Sequence, residues 1–556
     1  MRSGYGASMP NGRPLVLDDN ATGAAAMVTI PLFALGWAAV GALYLTVRVL
    51  AALHAPVAGS ELWSLSGAWA AHAGADDARF AGALTQAVAA ASFAFTESPL
   101  AARFAVVILG ACGMAVAVLR LRPAVGDGPL LTAGALLALD PFMVALGGSA
   151  SALALDVPVA LLLFAFSLRA PAAPWPWALL GAAVALSGPL PLALAFAALA
   201  AGLVQGRFPK PSMAAFTTAG AVVGVIVASF GFGFARVGVA VPPADLFAAS
   251  FDAPWSTGAA GAMALLYGWP VLAAGGGSAV WFLLRWLRDG IEPPPAVRLA
   301  LVWGAIGLLW LLTAAGAHSW AVVPAVSVPG ALVAGAAAPS LWNALYTADW
   351  RLARVAVPAA GLLGASAALF AFGWAFSRPH GSAPLALVLA AGVLAMVALL
   401  AAARPTRPAA LVLPLAFGCL WLVAMTGRAA APAAPEPLYS PAATDQGRVI
   451  RAAALELAAG HGRVAVHPDL VDAVIWPLRG SGTILVTDRP TPDVAVYLAP
   501  VEVAPPEGFL PLEGSWALLR LTEPPDTPRA ILRWLASRNV HPSRDVPVSF
   551  AARPAP

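Results

Sequence analysis

Apolar runs separated by short turns that carry the arginines dominate the first 427 positions of the chain. A bilayer core of about 30 Å needs about 20 apolar helical residues. Thirteen stretches fit as membrane spans: 27–53, 100–119, 129–147, 151–168, 174–187, 190–205, 213–234, 259–284, 297–316, 320–345, 353–376, 384–403 and 408–426. The pair flanking Ser187, Gly188 and Pro189 is short and reads either as two helices or as one broken span. The segment 80–95 is apolar but short, and Gln86 interrupts it. Counting it as a span would invert every later turn, so it is placed as an interfacial or re-entrant helix.

Charge fixes the expected orientation. With residues 1–26 as a cytoplasmic tail, the cytoplasmic turns hold Arg120 and Arg122, Arg169, Arg207 and Lys210, Arg285 with Arg288 and Arg298, Arg351 with Arg354, and Arg404 with Arg407. The opposite turns are nearly free of arginine, with Arg236 and Arg378 as single exceptions. This is the positive-inside pattern of a multi-pass plasma-membrane protein. The loop 54–99 then lies outside. Within it, Leu62, Leu65, Trp69 and His72 fall near one helical face and Ser60, Glu61, Ser64 and Gly67 near another, which predicts short helices at the membrane surface.

The pattern changes near Arg428. An Ala/Pro linker, 428–438, leads to a water-soluble stretch, 439–556, whose periodicity predicts a helix over 445–460, strands at 463–467, 483–487 and 494–498, and a helix over 530–538. The fold class expected is therefore an α-helical polytopic membrane protein, 27–427, with a small extracytoplasmic α/β domain.

Composition agrees: 60% of residues are hydrophobic and 10% charged, and the mean hydropathy is +0.81. That excludes an ordinary soluble globule, which carries about a quarter charged residues. The positive charge sits at the turns and forms no basic, aromatic-interleaved patch, so nucleic acid is excluded as a partner. Cys112 and Cys419 lie in apolar runs and have no metal-ligand spacing. No phosphate-cradling glycine loop and no nucleophile elbow occur, and Gly275–Gly277 reads as a packing or kink feature of a helix.

The candidate chemistry is acidic and clusters near the first loop. Glu61, a carboxylate beside an apolar helix, is the candidate catalytic base or electrostatic partner; a solvated loop glutamate is the alternative. Asp76 and Asp77, with Arg79, are candidates for a divalent cation or a sugar, or for a helix cap. Asp140 and Asp156 fall inside expected spans, where a carboxylate is by default a functional hypothesis. Asp140 precedes Pro141 and reads equally as the cap of a helix break. Arg103 opens the second span, where a guanidinium can hold a lipid phosphate or anchor the interface beside Phe104.

The order of these parts resembles the GT-C superfamily of membrane glycosyltransferases that use polyprenyl-phosphate sugars, in the branch of protein O-mannosyltransferases and lipid A aminoarabinose transferases. The residues that carry the resemblance are Ser60-Glu61-Leu62-Trp63 and Gly67-Ala68-Trp69 in the first loop, the Ser98 to Phe104 start of the second span, and Leu139-Asp140-Pro141-Phe142 at the third. In the tail, Tyr439-Ser440-Pro441, Trp476 to Arg479, Gly514 to Arg520 and Ile531 to Leu535 are similar to a subgroup linked to archaeal-type protein glycosylation. The resemblance implies a sugar donor on polyprenyl phosphate, an acceptor glycan, lipid or protein, and an acidic base in the first outer loop, at the place of Glu61. The chain departs from the usual family pattern: Ser60-Glu61 stands where an Asp-Glu pair is usual, the Gly-Pro-Leu segment is missing, and Gly147 to Ala152 replaces a stretch with Arg and Asp. A catalytically degenerate relative that binds lipid or a partner, and a transporter built on broken helices, are the alternative classes.

Overall fold

A computed structural model of the chain describes residues 32–57, 59–72, 83–151, 154–169, 259–313, 323–346, 407–432 and most of 439–554, with isolated positions between 177 and 223. The helices are α1 (Leu32–His54), α2 (Gly59–His72), α3 (Ala83–Phe93), α4 (Pro99–Val125), α5 (Asp127–Leu139), α6 (Pro141–Gly147), α7 (Asp156–Arg169), α8 (Ala259–Asp289), α9 (Pro295–Thr313), α10 (Pro324–Tyr346) and α11 (Arg407–Ala430). Five described helices, α1, α4, α8, α9 and α10, are long and apolar enough to cross a membrane, and the bent pair α5 and α6 makes a sixth. Expected spans at 190–205, 353–376 and 384–403 lie outside the described residues, as do those at 174–187 and 213–234 apart from isolated positions.

Local sequence explains the element ends. Ser98 caps α4, its side chain accepting from Leu100 N–H at 3.3 Å, with Pro99 at the first helical position. Gly126 turns the chain at φ 94°, and α5 begins at Asp127, which binds Arg122 of α4 at 2.6 Å and accepts from Trp37 Nε1 at 3.3 Å. The segment expected to be interfacial is α3, 11 residues long and too short to cross. Outward positions on the long helices are apolar, as at Ile108, Leu119, Leu309 and Leu420, and both free cysteines, Cys112 and Cys419, are exposed.

Helix α10 lies at the centre, against α5, α8 and α9. Without a hydrophobic drive between helices in lipid, close approach depends on small residues. A Cβ on Gly275 of α8 would lie 2.6 Å from Gly330 Cα of α10, while Gly276 and Gly277 face open space. Packing, at Gly275 alone, is what that glycine run provides.

After α11 come β1 (Ala442–Ala443), α12 (Gln446–Ala458), β2 (Arg463–Val466), β3 (Ile484–Val486), β4 (Val494–Pro500), β5 (Leu510–Pro511), β6 (Trp516–Thr522) and β7 (Ser543–Ala552). They form one mixed sheet, ordered β1-β6-β7-β4-β2-β3, with β5 also on β7; β2 runs parallel to β3 and β4. Helix α12 covers one face, setting Ile450 and Ala454 against Val464, Val496, Leu518 and Phe550. Three strands fall where alternation placed them. Strand β7 was not anticipated, because Arg544, Asp545 and Pro547 break the pattern; the register between β6 and β7 shifts beside Pro547. Leu519 of β6 also packs against the apolar cluster that holds Leu62, Leu65 and Phe93 together with residues of α4 and Ala150, which joins the sheet to the first loop.

Replacing Gly275 by Ala should lower stability by about 1–3 kcal/mol through overpacking, whereas Gly276→Ala should be neutral or gain up to about 1 kcal/mol of helix propensity. Thermal unfolding in detergent measures both; equal midpoints for the two variants would refute the close approach.

Candidate functional site

Helix α2 presents Glu61, Ser64, Leu65 and Ala68 on one face at i, i+3, i+4 and i+7, and all four are buried. Of the two readings of Glu61, the solvated loop glutamate does not hold. Helix α2 shares one apolar cluster with α3, the start of α4, Ala150, Ala154 and Leu155, with Leu519 packed against it, and its polar residues Glu61, Ser64 and Ser66 are buried. Glu61 is only 2% exposed. A carboxylate so placed requires a partner, because removal from water is otherwise prohibitive.

Arg103, on the first turns of α4, is that partner. Its Nε donates to Glu61 Oε1 and its Nη2 to Oε2, both at 2.7 Å, a two-pronged pair of the strongest kind. The remaining donors go to the end of α1: Nη1 to Ala52 O at 2.9 Å and Ala55 O at 2.8 Å, and Nη2 to Pro56 O at 3.1 Å. All five N–H groups of Arg103 are thereby engaged, leaving none for a phosphate in this arrangement. Glu61 Oε1 accepts a further bond from Ala150 N–H at 2.8 Å. The pair therefore ties α1, α2, α4 and the turn after α6 into one knot.

That turn belongs to a span broken by 70° between α5 and α6. Every backbone group freed at such a break needs an internal partner in hydrocarbon. Arg48 of α1 supplies Nη2 to Leu137 O at 3.2 Å and Nη1 to Ala138 O at 3.5 Å, and Thr426 of α11 donates its hydroxyl to Leu139 O. On the other side, Asp140 Oδ1 caps α6, accepting from Phe142 N at 2.9 Å and Met143 N at 3.5 Å. Arg48 stacks its guanidinium 3.5 Å from the Tyr44 ring centre, and it lines a cavity of about 10 Å³ together with Met114, Leu137, Met143 and Val157.

The sequence candidates thus fall into two linked groups. Glu61 and Arg103 meet directly. Asp140 sits at the break as a cap, and Asp156 opens α7, buried six residues beyond Ala150. Asp76 and Asp77 lie outside the described residues. Among the described residues no group of three His, Cys, Asp or Glu side chains is placed to hold a metal. Sequence reasoning passed over Arg48 and Thr426. The signal for Arg48 was present, a lone arginine within the apolar run 27–53; Thr426 carries none.

No protein-family model matches the chain, and no curated protein matches it. Among solved structures it is similar to ArnT from Cupriavidus metallidurans in the apo state, with 18% identity over 82% of this chain and 86% of that one and a TM-score of 0.49. The same protein bound to undecaprenyl phosphate gives 15% identity, 81% and 85% coverage and a TM-score of 0.48. The apo oligosaccharyltransferase of Archaeoglobus fulgidus gives 11% identity, 85% and 70% coverage and a TM-score of 0.43.

Removing either partner of a buried pair strands the other, so Glu61→Ala and Arg103→Ala should each cost about 3–5 kcal/mol. The double variant should cost less than the sum, with a coupling of about 1–3 kcal/mol in a thermal-unfolding cycle. A coupling near zero would mean that the two side chains do not act as a pair.

Proposed function

We propose that the chain is a membrane glycosyltransferase that moves a sugar from a polyprenyl-phosphate donor to an acceptor glycan, lipid or protein. The observation that carries this reading is Glu61: the carboxylate to which the family resemblance points is gathered with the start of α4 and the turn after α6 at one end of the helical frame, beneath the C-terminal sheet. In the reaction the acceptor's oxygen or nitrogen bonds to the anomeric carbon, the bond from that carbon to the phosphate oxygen breaks, and the lipid phosphate leaves with its electron pair. The acceptor's proton passes to a base. Among the described residues Glu61 Oε2 accepts the Arg103 Nη2 bond alone, which leaves it lone-pair capacity for that proton. Arg103 holds the carboxylate in place, and a divalent-cation role falls to Asp76 and Asp77.

One specific observation favours a second reading. With Arg103 fully engaged and Glu61 buried, the knot is complete without a substrate, as in a degenerate relative that keeps the frame to bind lipid or a partner.

The test is transfer from a panel of radiolabelled polyprenyl-phosphate sugars by the purified protein in lipid, with and without Mg²⁺. Transfer is expected from at least one donor, and Glu61→Gln, assayed where unfolding curves show it folded, should lose about 10²–10⁴-fold in rate. Absence of both transfer and donor binding would replace the enzyme with the degenerate reading.

A further inference from the structure

We infer that Arg48 and Asp140 are positioning residues for Glu61, acting through the direction of α6; this rests on the reading of Glu61 as the working carboxylate. Ala150 N–H is the backbone donor that reaches Glu61 Oε1, at 2.8 Å. Its place depends on where α6 points, because the turn after α6 is short and internally bonded: Gly148 N donates to Val144 O at 2.9 Å and Ser149 N to Leu146 O at 3.2 Å. Seven residues of helix make a lever of about 10 Å, so a change of about 10° in the bend carries its far end by about 2 Å. That displacement is enough to break the bond to Glu61.

Two opposite charges hold the bend. Arg48 takes two α5 carbonyls, Asp140 takes two α6 amides, and both side chains are at most 2% exposed. Neither charge is tolerable alone at this depth. Contact with α1 reinforces the direction. A Cβ on Gly147 would lie 2.7 Å from Arg48 Nε, and one on Gly148 would lie 2.4 Å from Ala51 Cβ. One turn beyond Arg48, Ala52 O receives Arg103. Helix α1 thus sets both partners of Glu61, Ala150 through Arg48 and Arg103 through its own carbonyls.

The experiment places a cysteine at Ser151, buried beside Ala150, in protein whose two native cysteines, Cys112 and Cys419, are replaced by Ala. Maleimide labelling in vesicles and the kcat and KM of sugar transfer are read together, with a control cysteine at Ala454, on the buried face of α12. The parent should be protected at 151. Arg48→Met should raise labelling there at least tenfold, lower kcat at least tenfold with KM changed less than threefold, and leave position 454 protected. Asp140→Asn, which still caps but carries no charge, should shift both readings by a smaller factor. Arg48→Lys, lacking the fork, should fall between, and it carries the test if Arg48→Met does not fold. Unchanged labelling at 151 in folded Arg48 variants overturns the inference, as does equal exposure at 151 and 454. Because labelling needs no activity, a protein that neither transfers sugar nor binds donor would sink the proposed function and still decide this point.

Discussion

A guanidinium and a carboxylate removed from water, Arg103 against Glu61, set the terms for this end of the molecule. Burial makes their mutual attraction strong and their separation expensive. Because Arg103 spends its other donors on the last carbonyls of α1, and Glu61 takes an amide from the turn after α6, the pair converts one ion contact into the meeting point of four segments. Leu62, Leu65, Ala102, Val106 and Ala150 then close an apolar shell around it, onto which Leu519 brings the sheet. The shell keeps water out, and the dryness it creates is what gives the pair its strength.

The same constraint governs the break at Asp140, ten residues before Ala150. A straight helix satisfies its own backbone, but a 70° bend exposes carbonyls on one side and amides on the other. Asp140 at the break itself, with Arg48 from α1 and Thr426 from α11, is assigned to them with little overlap. Such a bend is a built feature with a fixed angle rather than a soft point, since each satisfied group would be stranded by straightening.

What was legible in the sequence follows from which interactions are local. The described spans, the Asp140-Pro141 break and the strands β2 to β4 each depend on residues a few positions apart, and the pattern shows them. Glu61 and Arg103 were each visible as chemistry, yet 42 residues separate them, and nothing in either neighbourhood announces the partner. Burial of α2 on both faces was hidden for the same reason: the covering pieces come from α3, α4, the turn at 150 and a strand more than 400 positions away. Strand β7 was obscured by Pro547, which sits where the register shifts and so does not interrupt the sheet. Arg48 was legible by the rule applied to Asp140, that an ionisable residue in a span has a reason to be there.

Charge balance carries the argument one step further. The buried ionisable residues among those described are Arg48, Arg103 and Arg428 against Glu61, Asp140 and Asp156, three of each sign. A neutral set is what an apolar surrounding demands. It also means that the set holds no surplus cation, and the one arginine placed at Glu61 has no N–H to spare. A donor's phosphate brings negative charge that this group does not offset. In the glycosyltransferase reading, recognition of the lipid phosphate therefore draws on cations outside the buried set, while the knot around Glu61 supplies geometry and a proton acceptor.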